Sequence, residues 1–464
     1  MNIKNKYIGS RDFYRHVLTI AVPIMIQNGI SNFVGMLDNL MIGRVGTNAL
    51  SGVAIANQLM FVYYLIVFGT EAGIGIFTAQ YYGQGNEAGI RYSFRFKVLA
   101  TFIVSTICMG IFYFYGGSLI QLFLQGEGSP ADAAETLQIG IRYMTIMLIG
   151  MIPNAFTHSY AGTLRETGET RVPMFASFAA VFVNLIGNYV LIYGHLGLPA
   201  LGASGAAVAT VFSRFVEVAI LAIYTFSHRS IHTWIIGAFK SMYVPGKMAS
   251  KFIVKALPLM LNETLWAAGQ TVMNQSYSYR SLNAVAAINI ESTLWNLMGV
   301  AFLAMGDAVG ILVGHALGSG NIEKARDDAR KLLVFTTFCG AIFAVLMVSL
   351  SPFFPQLYNT SNEIKEMATA LIIVNGAIMP LYAFTHASYF IIRAGGRTGI
   401  TFLFDSCFVW IISVPAAYYI SRFTSIPVVP MMAIVQSLEI LKDIVGGTMV
   451  HKGIWAQNLV KEDA

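Results

Sequence analysis

Charge is what this sequence has least of. Asp, Glu, Lys and Arg make up 11% of its 464 residues, against about 25% in an ordinary soluble domain. That excludes a string of soluble domains. Cysteine is also scarce. Cys108, Cys339 and Cys407 are odd in number and sit inside apolar runs, so they read as small buried hydrophobes, not as a disulfide or metal framework. There is no Walker A sequence, no HExxH and no GxSxG, so neither ATP-driven work nor hydrolase chemistry has a carrier, and no cofactor is expected. The net charge of +6 is no nucleic-acid footprint, because the cations lie in short gaps between apolar runs.

Apolar sequence is what remains. Hydrophobic residues reach 56%, with a mean hydropathy of +0.64. Stretches able to cross a bilayer, which takes about 20 residues, occur near 17–42, 48–79, 92–116, 136–160, 171–193, 203–226, 252–276, 284–317, 329–351, 366–390, 398–420 and 427–450. The second and eighth are long enough to tilt or protrude. With the N-terminus placed inside, Arg44, Arg280, Lys365 and Arg422 fall outside and Arg142 and Arg214 within spans; the other 23 of the 29 cations fall inside. The positive-inside rule then predicts a multi-pass protein of the plasma (inner) membrane with both termini cytoplasmic. The basic N-terminus (Lys4, Lys6, Arg11, Arg15) has no small-residue cleavage site after a short apolar core, so no removable signal is expected.

The chain also repeats itself. Ala21, Pro23 and Met25 return 235 residues later as Ala256, Pro258 and Met260. Gly75, Gly83, Gly85, Asn86 and Arg91 return as Gly310, Gly318, Gly320, Asn321 and Arg326. At an offset of 228, Ala155-Phe-Thr-His158 returns as Ala383-Phe-Thr-His386, and Arg165, Gly168 and Thr170 as Arg393, Gly396 and Thr398. Six spans per repeat bring the chain back to the same side, so both copies insert in one orientation. The expected fold class is an all-α polytopic membrane protein, with twelve transmembrane helices in two six-helix lobes related by a pseudo-twofold axis along the membrane normal. Residues 1–226 would form the N-terminal lobe, 227–251 a cytoplasmic linker and 252–464 the C-terminal lobe. A single chain would enclose a complete pathway, so a monomer suffices, with membrane lipids around it.

A charge at the bilayer centre costs about 2.5–3.5 kcal/mol on insertion scales, so each needs a reason. Gln27, Ser31, Val34 and Asp38 share one helical face. Asn184 and Asn188 lie one turn apart on span 5, and Thr210 lies on span 6. Counting about 1.5 Å per residue puts Asp38, Asn184, Asn188 and Thr210 at compatible depths in the outer half. One carboxylate with amide and hydroxyl oxygens suits Na+ or a proton; the plainer reading is an interhelical hydrogen-bond network. On span 7, Glu263, Trp266, Gln270, Asn274 and Tyr277 recur at helical spacing. A carboxylate beside an indole suits a small organic cation, and Asn289 and Asn296 on span 8 would line the same cleft. Asp405, His158 and His386 are candidates for a proton relay. Asp405 would pair with an arginine near the inner face or titrate. Arg214 and Glu217 read as a local pair, as do Glu439 and Lys442, and the glycines at 306, 310, 314 and 318 as a close-packing stripe.

These residues resemble the multidrug and toxic compound extrusion family. The carriers are Ala21-Val-Pro23, Leu37-Asp38-Asn39-Leu-Met-Ile-Gly43, Ala79-Gln-Tyr-Tyr-Gly-Gln-Gly85, Leu164-Arg165-Glu-Thr-Gly168-Glu-Thr170-Arg171 and Gly202-Ala-Ser-Gly205-Ala-Ala-Val-Ala-Thr210, in order within the duplication. The resemblance implies a cation-coupled antiporter exporting cationic amphipathic compounds against sodium or protons. It makes Asp38 the coupling acid, with Asn184 and Thr210 as polar partners. Asn188 stands where some members have a second aspartate, and Arg397 where an aspartate is frequent. Glu263 resembles a span 7 glutamate of some members. Two other readings compete less well: a flippase for lipid-linked precursors, which needs more intramembrane cations than Arg142 and Arg214, and a membrane receptor or intramembrane enzyme, for which the sequence offers no nucleophile or metal set.

Overall fold

The computed structural model describes residues 7–124 and 129–461; Lys4 and Lys6 of the basic N-terminus lie outside them. Among the described residues the chain is helical throughout, with no strand. Six helices precede the linker: α1 (Arg11–Gly43), α2 (Thr47–Gln84), α3 (Glu87–Phe123), α4 (Pro130–Glu166), α5 (Arg171–Tyr193) and α6 (Ala203–Ser227). After it come α7 (Gly246–Ser278), α8 (Leu282–Gly318), α9 (Ile322–Leu350), α10 (Asn362–Ala394) and α11 (Thr398–Phe423). The twelfth segment breaks into α12 (Val428–Ser437) and α13 (Glu439–Lys452).

Among the described residues, ten helices are long and apolar enough to cross a membrane. The two remaining segments have physical reasons to differ. Lys247, Lys251, Lys255 and Glu263 dilute α7, and the break at Leu438 leaves α12 and α13 too short singly. Several helices outrun the apolar windows read from sequence. At 38 residues, α2 extends about 57 Å, far beyond a hydrocarbon core of about 30 Å. The extra turns are polar, as in Gln80–Gln84.

Local chemistry sets the ends. Ser129 caps α4 by accepting from the Asp132 amide, with Pro130 in the first turn. The duplicated glycines Gly85 and Gly320 take φ of 75° and 80°, a left-handed turn that a side chain resists. They end α2 and α8 in the same way. In α11, π turns at Leu403–Cys407 and Val409–Ser413 widen the helix beside Asp405; such turns recur at functional sites.

Two compact units result. One comprises Ile26–Thr78 and Glu87–Ala256, here the N-terminal unit. The other comprises Met1–Met25, Ala79–Asn86 and Leu257–Ala464, here the C-terminal unit. The N-terminal unit is cored by Tyr63, Met60, Val67, Met144, Met147 and Met151 from α2 and α4. The C-terminal unit has one core around Met273, Tyr277, Leu371 and Met431 and another around Leu294, Met347 and Met379.

The glycine stripe on α8 is a packing device within the C-terminal unit. A Cβ on Gly314 would stand 2.8 Å from the Ala79 methyl, one on Gly318 would overlap the Gln80 carbonyl, and one on Gly83 would overlap that of His315. The C-terminal tail docks beside them. Gln80 donates to the carbonyls of Ala394 (2.9 Å) and Gln457 (3.3 Å) and accepts from the Leu459 amide (2.8 Å).

Gly83→Val should therefore cost about 1–3 kcal/mol through overpacking and lower the unfolding temperature in detergent. Gly110→Val, where nothing lies within 4 Å of a new Cβ, should leave it within a degree or two of the parent.

Candidate functional sites within the two units

In the N-terminal unit the four residues singled out on spans 1, 5 and 6 meet. The Asn188 amide donates to Asp38 Oδ1 at 2.5 Å and to Asn184 Oδ1 at 3.3 Å. Asn184 in turn donates to Thr210 Oγ1 at 3.1 Å. Asn184 and Asn188 are buried, Asn188 completely, while Asp38 is half-buried. Asp38 and Thr210 face a cavity of about 210 Å³, lined also by Asn57, Tyr64, Tyr143 and Met147. Asn188 Oδ1 is buried without a hydrogen-bond partner. An orphaned amide oxygen beside a carboxylate, a second amide oxygen and a hydroxyl is an all-oxygen donor set, which fits a hard monovalent cation. Asp38 itself is met by a neutral amide and not by an ion pair.

Below it lies a separate chain of bonds. Gln27 donates to Ser177 at 2.7 Å, Ser177 to Glu217 at 2.5 Å, and Arg214 pairs with Glu217 at 2.9 Å. The local pair expected of Arg214 and Glu217 forms.

In the C-terminal unit a longer network runs from α7 to α13. The Tyr389 hydroxyl donates to Glu263 at 3.3 Å. The neighbouring Asn262 amide donates to Tyr389 at 3.3 Å and to Asp405 at 3.0 Å. Lys442 then pairs with Asp405 at 3.0 Å and Glu439 at 3.2 Å. The partner of Asp405 is this lysine and not an arginine near the inner face. Lys442 is 4% exposed, so it is a buried ion-pair member and not a rim cation. A third acid, Glu291, accepts from Asn375 at 2.5 Å.

The expected face of α7 divides. Trp266 and Asn274 are exposed and Glu263 and Gln270 half-buried, but Tyr277 is 2% exposed within the core with Ala284, Ile288 and Val428. Helical spacing alone placed Tyr277 with the others; burial at the end of α7 takes it off that face. Asn289 and Asn296 are both exposed on α8. Neither histidine joins a chain of acids. The His386 ring packs against Phe302, Tyr389 and Phe390, with a buried Nε2 that has no hydrogen bond. His158 is half-buried beside Ser159. The aromatic packing around His386 suits a structural role better than a relay.

The model of the MatE family matches residues 23–190 and 258–419, once in each half of the duplication. The chain belongs to the MatE family. It is 22% identical over 414 residues to the probable multidrug resistance protein NorM of Thermotoga maritima, covering 88% of this chain and 86% of that one. It is 24% identical to a protein of the same name from Halalkalibacterium halodurans, over 88% and 87% of the two chains. Among solved structures, an outward-facing multidrug resistance MATE transporter of the MOP superfamily superposes with a TM-score of 0.84 at 18% identity, covering 95% of this chain and 96% of that one. A MOP superfamily transporter from Pyrococcus furiosus superposes with 0.82 at 18% identity, over 97% and 98%. These likenesses fix the fold as that of the MATE transporters, membrane proteins with many spans.

For this MatE chain, sequence reasoning found the acids and the partners on the same helix or at the same depth, and missed the partners of Glu263 and Asp405 on other helices. Asn262, Tyr389 and Lys442 carry the C-terminal network, and Asn57, Tyr64 and Tyr143 line the cavity at Asp38. An asparagine directly before Glu263 was a usable signal. The pair expected of Glu439 and Lys442 forms; what sequence did not show is that the same lysine also reaches Asp405.

Removing one partner of a buried pair costs about 3–5 kcal/mol. Lys442→Ala should destabilise the protein by that order, read as a lost or lowered unfolding transition. Adding Asp405→Asn and Glu439→Gln should recover most of the loss.

Proposed function

We propose that this MatE protein is a cation-coupled antiporter that exports small organic cations, with sodium or a proton bound at Asp38. The observation that carries the reading is the hydrogen-bonded set Asp38–Asn188–Asn184–Thr210 beside a cavity, with one buried amide oxygen left over. The multidrug resistance names of the relatives support the export direction.

Asp38 holds the coupling cation through its carboxylate. Asn188 and Asn184 orient it, and Thr210 supplies a hydroxyl from α6. A bound cation draws the Asn188 and Asn184 oxygens toward itself, so the α1–α5–α6 arrangement differs between loaded and empty states. The organic cation is taken in the C-terminal unit at Glu263, with the exposed indole of Trp266 one turn away and Gln270 and Asn274 further along α7. Charge attraction and cation–π contact act together there. Coupling ion and substrate need only favour opposite states. The protein lies in the plasma (inner) membrane with both termini cytoplasmic and works as a monomer.

The test is purified protein in liposomes, with a fluorescent organic cation followed under imposed sodium or proton gradients. One gradient should drive dye movement. Asp38→Asn should reduce the driven rate by about tenfold or more, within the range of a typical coupling free energy, while dye binding persists. Glu263→Gln should instead weaken dye binding itself. Undiminished gradient-driven movement in Asp38→Asn would remove Asp38 from the coupling role.

A further inference from the structure

The N-terminal unit contains a second charged cluster, separate from Asp38. Glu71 on α2, Lys97 on α3 and Glu166 at the end of α4 meet in its interior. Glu71 is 6% exposed and Lys97 fully buried. The Lys97 ammonium is turned toward Glu166, to which it donates, and toward the Thr163 hydroxyl at 3.4 Å. It stands 3.7 Å from Glu71 Oε2. Glu71 Oε1 accepts from Ser159 at 2.8 Å, but Glu71 Oε2 is buried with no hydrogen bond at all. Gly162 keeps the space in front of this oxygen open: a Cβ there would lie 3.2 Å from it.

The duplication shows that the scaffold does not need these charges. At the corresponding positions of the second half, Glu71 becomes Gly306, Lys97 becomes Leu332, Ser159 becomes Ala387 and Glu166 becomes Ala394. Leu332 and Ala387 are fully buried, so the same three helices pack with apolar residues there. A fully desolvated ion cluster is more often a burden on stability than a gain. Its presence in one half alone calls for a ligand that the apolar version cannot hold.

We propose that Glu71, held beside Lys97 and Glu166, is a second proton-binding site of this protein. The proton goes to Glu71 Oε2, which becomes a hydroxyl. Glu71 is then neutral and Lys97 pairs with Glu166 alone. On release of the proton, the ammonium is shared between the two carboxylates, which draws α3 toward α2. A metal cation is disfavoured because the ammonium already occupies the approach. The charged groups acting on Glu71 are Lys97 from α3 and Glu166 and Arg165 from α4; α7, which packs on Gly73 at Ala256, brings Lys251 and Lys255 to the same end of the unit.

This site stands independently of the antiport reading, and its test needs no transport. Infrared difference spectra of the purified full-length protein in lipid, taken as pH is lowered, report protonated carboxyl groups by their C=O stretch. The wild type should gain such a band. It should vanish in Glu71→Gln, move in Glu71→Asp and persist in Asp38→Asn. Should Glu71→Gln fail to fold, the shift in Glu71→Asp decides. An unchanged band in either Glu71 variant, or loss of the band in Asp38→Asn, overturns the proposal.

Discussion

Every polar group inside these helices has to find its partner within the bundle, because the bilayer supplies none. That constraint organises both units. Lys97 with Glu166 and Glu71, Arg214 with Glu217, and Lys442 with Asp405 and Glu439 each neutralise a buried charge, and the Lys97 and Lys442 clusters also join helices far apart in sequence. A second group of acids is met differently. Asp38 is held by an asparagine amide, Glu263 by a tyrosine hydroxyl and Glu291 by Asn375. Acids with a built-in cation have their charge met within the bundle and leave no room for a second metal or organic cation. Acids held by neutral donors keep their charge free for a cation that comes and goes, which is why Asp38 and Glu263 stand at the centre of the proposed cycle.

The duplication separates what packing requires from what chemistry requires. Both halves keep the helix-ending glycines Gly85 and Gly320 in the same left-handed turn. They do not keep the acids. The position of Asp38 is taken by Met273 in the second half, and that of Glu263 by Asn28 in the first. Each half thus carries one acid within the apolar stretch of its leading helix, at a different position along it. Met273 is 5% exposed and packs in an apolar core, so the same helix position holds an acid beside a cavity in one half and packs as core in the other.

The helices were legible in the sequence because a bilayer demands long apolar runs, and the duplication made their number checkable. The N-terminal site was legible too, since helical rise alone brings Asp38, Asn184, Asn188 and Thr210 to compatible depths. Pairs three residues apart, Arg214 with Glu217 and Glu439 with Lys442, were legible as well; what sequence could not reveal was pairing between helices. Lys97 and Lys442 counted as inner-side cations because charge counting assigns a lysine to the nearest loop; only packing shows them to be buried. Tyr277 fits the face of Glu263 by periodicity, yet burial changes along a helix as its neighbours change. The π turns of α11 left no composition signal at all, although they sit beside Asp405.

The tether on Lys442 bears on why one coupling site suffices under the antiport reading. Asp405 and Glu439 lie in the same network as Glu263, linked through Asn262 and Tyr389. Without a lysine they would form an acidic cluster able to attract the coupling ion into the substrate's own unit, where the two cations would compete. Lys442, 4% exposed and within 3.2 Å of both acids, stands there as a built-in cation. It leaves Glu263 as the carboxylate of the network with no ion pair among the described residues. Under the proposed antiport the organic cation meets one acid in the C-terminal unit and the coupling ion another in the N-terminal unit, so exchange would depend on conformational linkage and not on direct displacement.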